Sequence, residues 1–518
     1  MIVPVPSIAE VGYNADLPTQ RLPLPAWTGV RNAAFRDALV ETAIPFQATT
    51  LASTGHTWIQ VFQPIDGLAA AYGGPTKLYG TDFETHGEIT RASGVYTGAV
   101  GDYWNGDTFH SFGIMTNGVD VPQVWNPMGP GTPLIDMPAW PSTVRAKVVR
   151  GFMNFLVALD ITKGGIRNKR MVKWSHSADP NTLPSSWDET DASKDAGEVL
   201  LYGGEEPLID CLPLGDVNII YSGLQTWSQT YVGGQSIFAF RRLFSLNGIL
   251  AQQCASALPS GHFVVTADDM IIHNGASINS VADRATRKWF FNNLSAANFL
   301  MTRVIRYLQN REMWICFPSY GAALDLALVW NWRYNTWTVR ELPNMQGVSN
   351  MPNTPGTKPD PWADPVYTWD GETVQPWGNP IVYRQTEKLV FIGTSSFSVM
   401  QRVTLDPPVV KVTLEKSGIA FIDAESTDEY NYKKVIAVRP SFAGKDGQIV
   451  TISVGFQENI EDVITWTETG TFVIGTDVEL QLNAVGRYLA VKFEWEEGGD
   501  AIKFYGYGLD IVLLKEGL

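Results

Sequence analysis

The sequence predicts a mostly β protein: a β-propeller, then a C-terminal antiparallel β-sandwich-like domain, with an extended N-terminal arm. Three observations lead there. Charged residues are 18% of the 518, while Gly (47), Pro (31) and aromatics (12%) are abundant, a mixture that suits short strands and tight turns rather than long helices. Between residues 46 and 407, short apolar runs are broken by Asn-Gly or Asp-Gly pairs. Such pairs mark type I′ hairpin turns, because both central residues take positive φ. From residue 408 the texture changes to longer alternating strands, as in Gln448–Gly455 and Arg487–Trp495.

The elements follow in chain order. In residues 1–45, Pro4, Pro6, Pro18, Pro23 and Pro25 block long helices and favour polyproline or strand-edge backbone. An arm of this kind is expected to pack on a neighbouring domain or subunit. In residues 46–407, three hairpins place apolar or aromatic residues on both sides of a turn. They centre on Trp104-Asn105-Gly106, on Asn274-Gly275 and on Asp370-Gly371. A fourth puts Trp330 and Trp332 on one arm and Trp337 on the other. Aromatic hairpins recurring in four-stranded units are the habit of propeller blades. Their spacing is irregular, and unrelated hairpins of a sandwich give the same pattern.

Val281–Phe291 reads as a short helix capped by Ser280. Two proline-rich stretches, 122–141 and 343–380, read as long surface loops. Residues 408–518 form the acidic C-terminal β domain. From residue 411 onward it holds 18 acidic and 10 basic side chains, about half of the chain's net charge of −15.

That charge argues against a basic, phosphate-gripping surface. Cys211, Cys254 and Cys316 are widely spaced and form no CxxC, so they read as small buried hydrophobes in a reducing compartment. The N-terminus has no basic stretch followed by an apolar core, and no run nears the length of a membrane span. No P-loop, nucleophile elbow, HExxH, EF-hand or dinucleotide fingerprint occurs. No catalytic residue, metal or cofactor is therefore expected.

His262 and His273 bracket Asp268-Asp269, which reads as a turn between strands rather than a metal site. Adjacent carboxylates such as Glu205-Glu206 and Glu496-Glu497 do not set the cross-cleft separation a glycosidase needs. Trp174, Trp187, Trp227 and Trp377 keep one alternative open: a propeller enzyme or lectin that stacks surface polysaccharide.

The segment Met171-Val-Lys-Trp-Ser-His-Ser-Ala-Asp-Pro-Asn-Thr-Leu-Pro-Ser-Ser-Trp187 is followed by Asp195-Ala-Gly-Glu198, Leu208-Ile-Asp-Cys-Leu-Pro-Leu-Gly-Asp216 and Ile219-Ile-Tyr221. In this order the segments resemble the tail nozzle, or hub, proteins of short-tailed bacteriophages, the tail tubular protein B or packaged-DNA stabilisation type. The resemblance continues through Gly261–Gly275 and Ala327–Val339, and Leu24–Asp37 is similar to the family's opening. It covers most of residues 10–340. One departure is Ala38, where the family's Arg-Asp is followed by Gly.

The resemblance implies a propeller with a second β domain and a structural, non-enzymatic role in the virion after synthesis in the host cytoplasm. It implies a six-membered ring of identical subunits below the portal and tail adaptor. That ring forms the distal end of the DNA channel, retains packaged DNA, lets double-stranded DNA pass without sequence preference, and carries fibres or spikes. A wall that repels phosphates does not trap a leaving duplex. Acidic loops of the C-terminal domain are therefore candidates to line the channel: Glu425, Asp428 and Glu429; Glu458, Glu461 and Asp462; Glu494, Glu496, Glu497 and Asp500. An ordinary solvated outer face is the competing reading. Trp362, Trp369 and Trp377 in the second proline-rich stretch are candidate anchors for fibre docking.

Overall fold

The computed structural model describes residues 1–14, 19–63, 68–351, 387–401, 408–420, 431–498 and 501–514. Seven four-stranded antiparallel sheets follow one another along the chain. The first strands of blades 1 to 6 are Trp58–Phe62, Asn105–Phe109, Val144–Phe152, Leu208–Leu214, Ala255–Leu258 and Arg303–Tyr307, and that of blade 7 is Gly347–Met351. Each first strand touches the first strand of the next blade, and Gly347–Met351 touches Trp58–Phe62. The sheets therefore close into a seven-bladed propeller around the axis their first strands share.

Burial explains why these segments are strands. Phe155–Lys163, second in blade 3, is buried on both faces over its first seven residues. A run that is apolar except for Asp160, which pairs with Arg167 at 2.5 Å, suits a strand packed between two neighbouring blades. Asn274-Gly275 turns the third strand of blade 5 into the fourth. Asn274 Oδ1 accepts from the Ala276 and Ser277 amides at 3.0 and 2.9 Å, and Gly275 has φ +86°. In blade 6, Trp330 and Trp337 are register partners with stacked rings 6.0 Å apart.

Several expectations change. Asn105-Gly106 begins the first strand of blade 2 instead of forming a turn; the turn lies at His110, whose φ is +52°. Trp332 sits in the hairpin turn, where its amide donates to Arg311 O at 3.0 Å, and not on the strand with Trp330. Residues 122–141 are no loop insertion, because Gln123–Trp125 and Ile135–Asp136 are the outer hairpin of blade 2, where prolines flank short edge strands. The helix spans Arg284–Asn293 and is capped by Asp283, which accepts from the Thr286 amide at 2.7 Å. Ser280 instead ends a strand, with its hydroxyl on Asp269 at 3.0 Å. Asp370, Gly371 and most of residues 343–380 lie outside the described residues.

The last blade takes its fourth strand from the other end of the chain. Phe46–Thr50 pairs with Ser396–Met400, from Ser396 opposite Thr50 to Met400 opposite Phe46. The residues before it enter a second body of two packed sheets. In one sheet, Ile2–Val5 and Leu39–Thr42 both pair with Lys503–Leu513; in the other, Gly29–Arg31 pairs with Val410–Ile419. The segment read as an arm is thus woven into the sheets built by residues 410–513. Trp27 is buried among Phe493, Phe504 and Tyr507, with its indole N–H on Ile8 O at 2.8 Å.

The same segment joins the sandwich to blade 6. Tyr13 and Asn32 donate backbone N–H groups to Trp337 O and Val339 O, each at 2.9 Å, and Arg36 pairs with the buried Glu312 at 2.6 Å.

The departure at Ala38 has a structural meaning. Asp37 (φ +47°) and Ala38 (φ +65°) are the two central residues of the hairpin between Ala33–Arg36 and Leu39–Thr42. The left-handed turn survives without glycine, at the steric expense of an alanine Cβ. Ala38 is exposed, so removing that Cβ loses no packing. The Ala38→Gly variant is predicted to be more stable by about 1 kcal/mol in chemical denaturation. An unchanged or lower stability would contradict this account of the turn.

Candidate functional site

A propeller's first strands present side chains to its axis, and here those side chains fill it. A cavity of about 210 Å³ remains, bordered by residues from all seven blades, among them Gln60, Gly106, Arg150, Asp210 and Asn350. At its wall Arg150 pairs with Asp210 at 3.0 Å, and both side chains are only 9% exposed. Arg150 also donates to Asn105 Oδ1 at 2.9 Å and Gly106 O at 3.2 Å. Asp210 accepts from the Cys211 and Gln253 amides, each at 2.9 Å. The Gln253 side chain reaches Gln60 Oε1 at 3.1 Å.

One polar chain therefore braces blades 1 to 4 and the entry to blade 5. Asn105 is part of this brace, and Gly106 is glycine because a Cβ would lie 2.8 Å from Ile114 O and 2.9 Å from the Phe62 ring. Nearby, burial pushes the Asp107 carboxyl above its usual range, against the pull of Arg150.

A second buried chain joins blades 4 and 5. His262 Nε2 faces Pro213 O at 2.9 Å and so carries the proton. His262 Nδ1 then accepts from the Tyr221 hydroxyl at 2.7 Å, and Tyr221 in turn accepts from His273 Nε2 at 2.7 Å. His273 Nδ1 accepts from the Gly275 amide at 3.3 Å. Both imidazoles are thereby held neutral. Burial is the main cause lowering both pKa values, that of His273 to about 4.

His262 and His273 are register partners, and Asp268-Asp269 form a turn around Thr266. No group of three or more His, Cys, Asp or Glu able to hold a metal occurs among the described residues. The three cysteines are buried, and burial raises their thiols, Cys211 and Cys254 to about 12.

A third cluster anchors the long segment 175–196 of blade 3. The fully buried Lys173 ammonium meets Glu189 at 2.6 Å and Glu198 at 3.2 Å, and Lys163 pairs with the same two carboxylates. Burial alone would raise Glu189, but the bonds from Lys163 and Lys173 outweigh it and hold it near 2. Trp187, fully buried, packs edge-on against Trp140 at 4.5 Å. Trp174 and Trp227 are also buried, so none of these three offers a free face to a sugar. Trp377 lies outside the described residues, as do Trp362 and Trp369.

The acidic candidates of the C-terminal domain separate. Glu425, Asp428, Glu429 and Asp500 lie outside the described residues. Glu461 and Asp462 are exposed in one turn, and Glu458 beside them accepts from the Tyr432 hydroxyl at 2.9 Å. Glu494 is bound by Lys411 at 3.2 Å and Lys492 at 3.1 Å.

Glu496 is exposed, but Glu497 is buried, because adjacent strand residues face opposite sides; its carboxylate accepts from the Ile502 amide at 3.1 Å. Glu497 is thereby removed from any exposed lining. Around Glu494 this sheet carries charges of alternating sign, with Lys411 and Lys492 on either side.

Sequence reasoning missed Arg150, Asp210 and Lys173. The signal was present only locally: each is a charge flanked on both sides by apolar residues or glycine, in Val149-Arg150-Gly151, Ile209-Asp210-Cys211 and Val172-Lys173-Trp174. Such a charge is buried only with a partner.

No family model matches the sequence, and no curated protein matches it. Similar solved structures include YCF48 bound to a D1 peptide, with TM-score 0.38 and 10% identity over 69% of this chain and 97% of that one. The WD40 β-propeller domain of Doa1 gives 0.37 and 9% over 68% and 96%. PorZ, a surface component of the type-IX secretion system of Porphyromonas gingivalis, gives 0.34 and 9% over 71% of this chain and 43% of its own.

Two predictions follow from the buried chains. Arg150→Met leaves Asp210 charged and unpaired in the axis, and is expected to lower stability to denaturant by about 3–5 kcal/mol. A loss below about 1 kcal/mol would mean that the pair does not brace the blades. His273 binds its proton near pH 6.5 when unfolded but only near pH 4 when folded. Its contribution to stability is complete above pH 6.5 and declines as the pH falls toward 4. Thermal melts across that window should show the wild type losing stability more steeply than His273→Gln; equal slopes would reject the assignment.

Proposed function

We propose that this chain is a structural virion protein: the nozzle, or hub, subunit of a short-tailed phage tail. Copies of it form a six-membered ring around the exit path of double-stranded DNA, with the tail adaptor above and fibres or spikes attached. The reading starts from the sequence resemblance, and one structural observation carries it furthest. The first 50 residues close the propeller, complete the sandwich and join the two. A body closed on itself in this way opens only when many hydrogen bonds break together, which suits a wall that holds back a packaged genome.

Two further features support the reading. The propeller axis is occupied by Arg150, Asp210, Gln60 and Gln253, and the cavity of about 210 Å³ is far too small for a duplex. A DNA conduit built from this chain must therefore run between copies. The alternating charges around Lys411, Glu494 and Lys492, with an overall charge of −15, offer phosphates little to hold.

Negative-stain imaging of the purified full-length protein tests the proposal. A six-fold ring with an open centre is the expected result. A compact monomer at every concentration, or release of oligosaccharide from host envelope glycans, would reject it in favour of a polysaccharide-directed propeller.

A further inference from the structure

The outer strand of each blade has a free edge, and six of the seven edges are short or covered. They comprise His86–Glu88, Ile135–Asp136, Gly197–Leu200, Ile278–Ser280 and Phe46–Thr50, of 3, 2, 4, 3 and 5 residues, and the ten-residue Thr336–Met345. The last lies against Gly29–Arg31 and Ala33–Arg36 of the sandwich. Blade 4 differs. Its outer strand Ile237–Phe244 runs eight residues and, among the described residues, pairs on one side only, with Thr226–Gly233. A long uncovered edge bearing apolar residues is a template for another chain, and proteins that stay single usually blunt it.

The chemistry of this edge is specific. Arg241 and Arg242 are exposed, and neither has an ion-pair partner among the described residues, in a chain with 53 acidic and 38 basic side chains. Phe238 and Phe240 pack against Trp174 of blade 3 and fix the strand in place. At one end Tyr202 and Leu246 are each 77% exposed.

The matching surface stands on the other body. The turn 458–463 of the sandwich carries exposed Glu461 and Asp462 without ion pairs among the described residues, followed by Val463 at 90% exposure. We propose that the two surfaces meet between copies: the blade 4 edge of one chain receives the acidic 458–463 turn of the next. The two surfaces differ, so the contact is head-to-tail, the kind that builds a closed ring when its rotation closes and never a two-fold dimer. This inference rests on the ring reading above and names its interface.

Analytical ultracentrifugation and negative-stain imaging of the full chain decide it. The exposed pair Arg241→Glu/Arg242→Glu should leave the melting curve unchanged and weaken self-association by about a hundredfold. The reversed partner Glu461→Arg/Asp462→Arg should fail alone in the same way, and combining all four changes in one chain should restore the ring. Rings that persist in the Arg241→Glu/Arg242→Glu variant would overturn this interface and leave the nozzle reading standing. Failure of the four-fold variant to reassemble would overturn the pairing of the two surfaces. A wild type that is monomeric at all concentrations would overturn both.

Discussion

The pairing of Phe46–Thr50 with Ser396–Met400 is the constraint on which the rest of the molecule depends. Without it the seventh blade would hold three strands and an open edge beside blade 1. This pairing is the one strand-to-strand ladder that closes the ring among the described residues; elsewhere blades 7 and 1 meet through side chains and single bonds such as Val61 N–H to Ser349 Oγ at 3.0 Å. The strand cannot be moved independently of the sandwich, because residues 33–42 just before it are already paired there. Arg340 ties the passage between the two by donating to Ile44 O at 2.8 Å. Ring closure and sandwich docking are thus one event in the fold.

The buried polar chains have a related role. Apolar packing between blades is non-directional and would tolerate small rotations of one blade against the next. An Arg150–Asp210 pair that also meets Asn105, Cys211 and Gln253 does not, since each bond requires a particular angle. Tyr221 does the same between blades 4 and 5, accepting from one imidazole while donating to the other. The desolvation these groups suffer is offset only in one register, so they select that register as much as they stabilise it.

Local features were the legible ones. Asn274-Gly275 and the Trp330–Trp337 pair could be read because a hairpin is specified by residues a few positions apart. Asn105-Gly106 has the same composition but misleads: Asn105 is drawn into the axis by Arg150, and Gly106 answers a crowded backbone, not a turn. The helix is capped by Asp283 and not by Ser280 because the chain stays extended through Ser280 and turns helical only at Arg284. The proline-rich opening reads as an arm, since nothing within it announces partners near residues 410 and 510. Of the acidic positions, alternation along the strand separates Glu496 from Glu497, and reading them as one loop hid that difference.

The origin of the seventh blade's outer strand also governs the order in which the chain matures on the ribosome. Phe46–Thr50 emerges early and must wait for Ser396–Met400, a gap of roughly 350 residues. At about 5–20 residues per second this is on the order of 20–70 s of synthesis. Throughout that interval the growing propeller is an open arc, and the strands of residues 1–50 lack their distant partners, with only the Ala33–Arg36 and Leu39–Thr42 hairpin able to pair locally. The nascent chain is therefore most vulnerable to wrong pairing with its neighbours on the same messenger RNA, until late synthesis seals it.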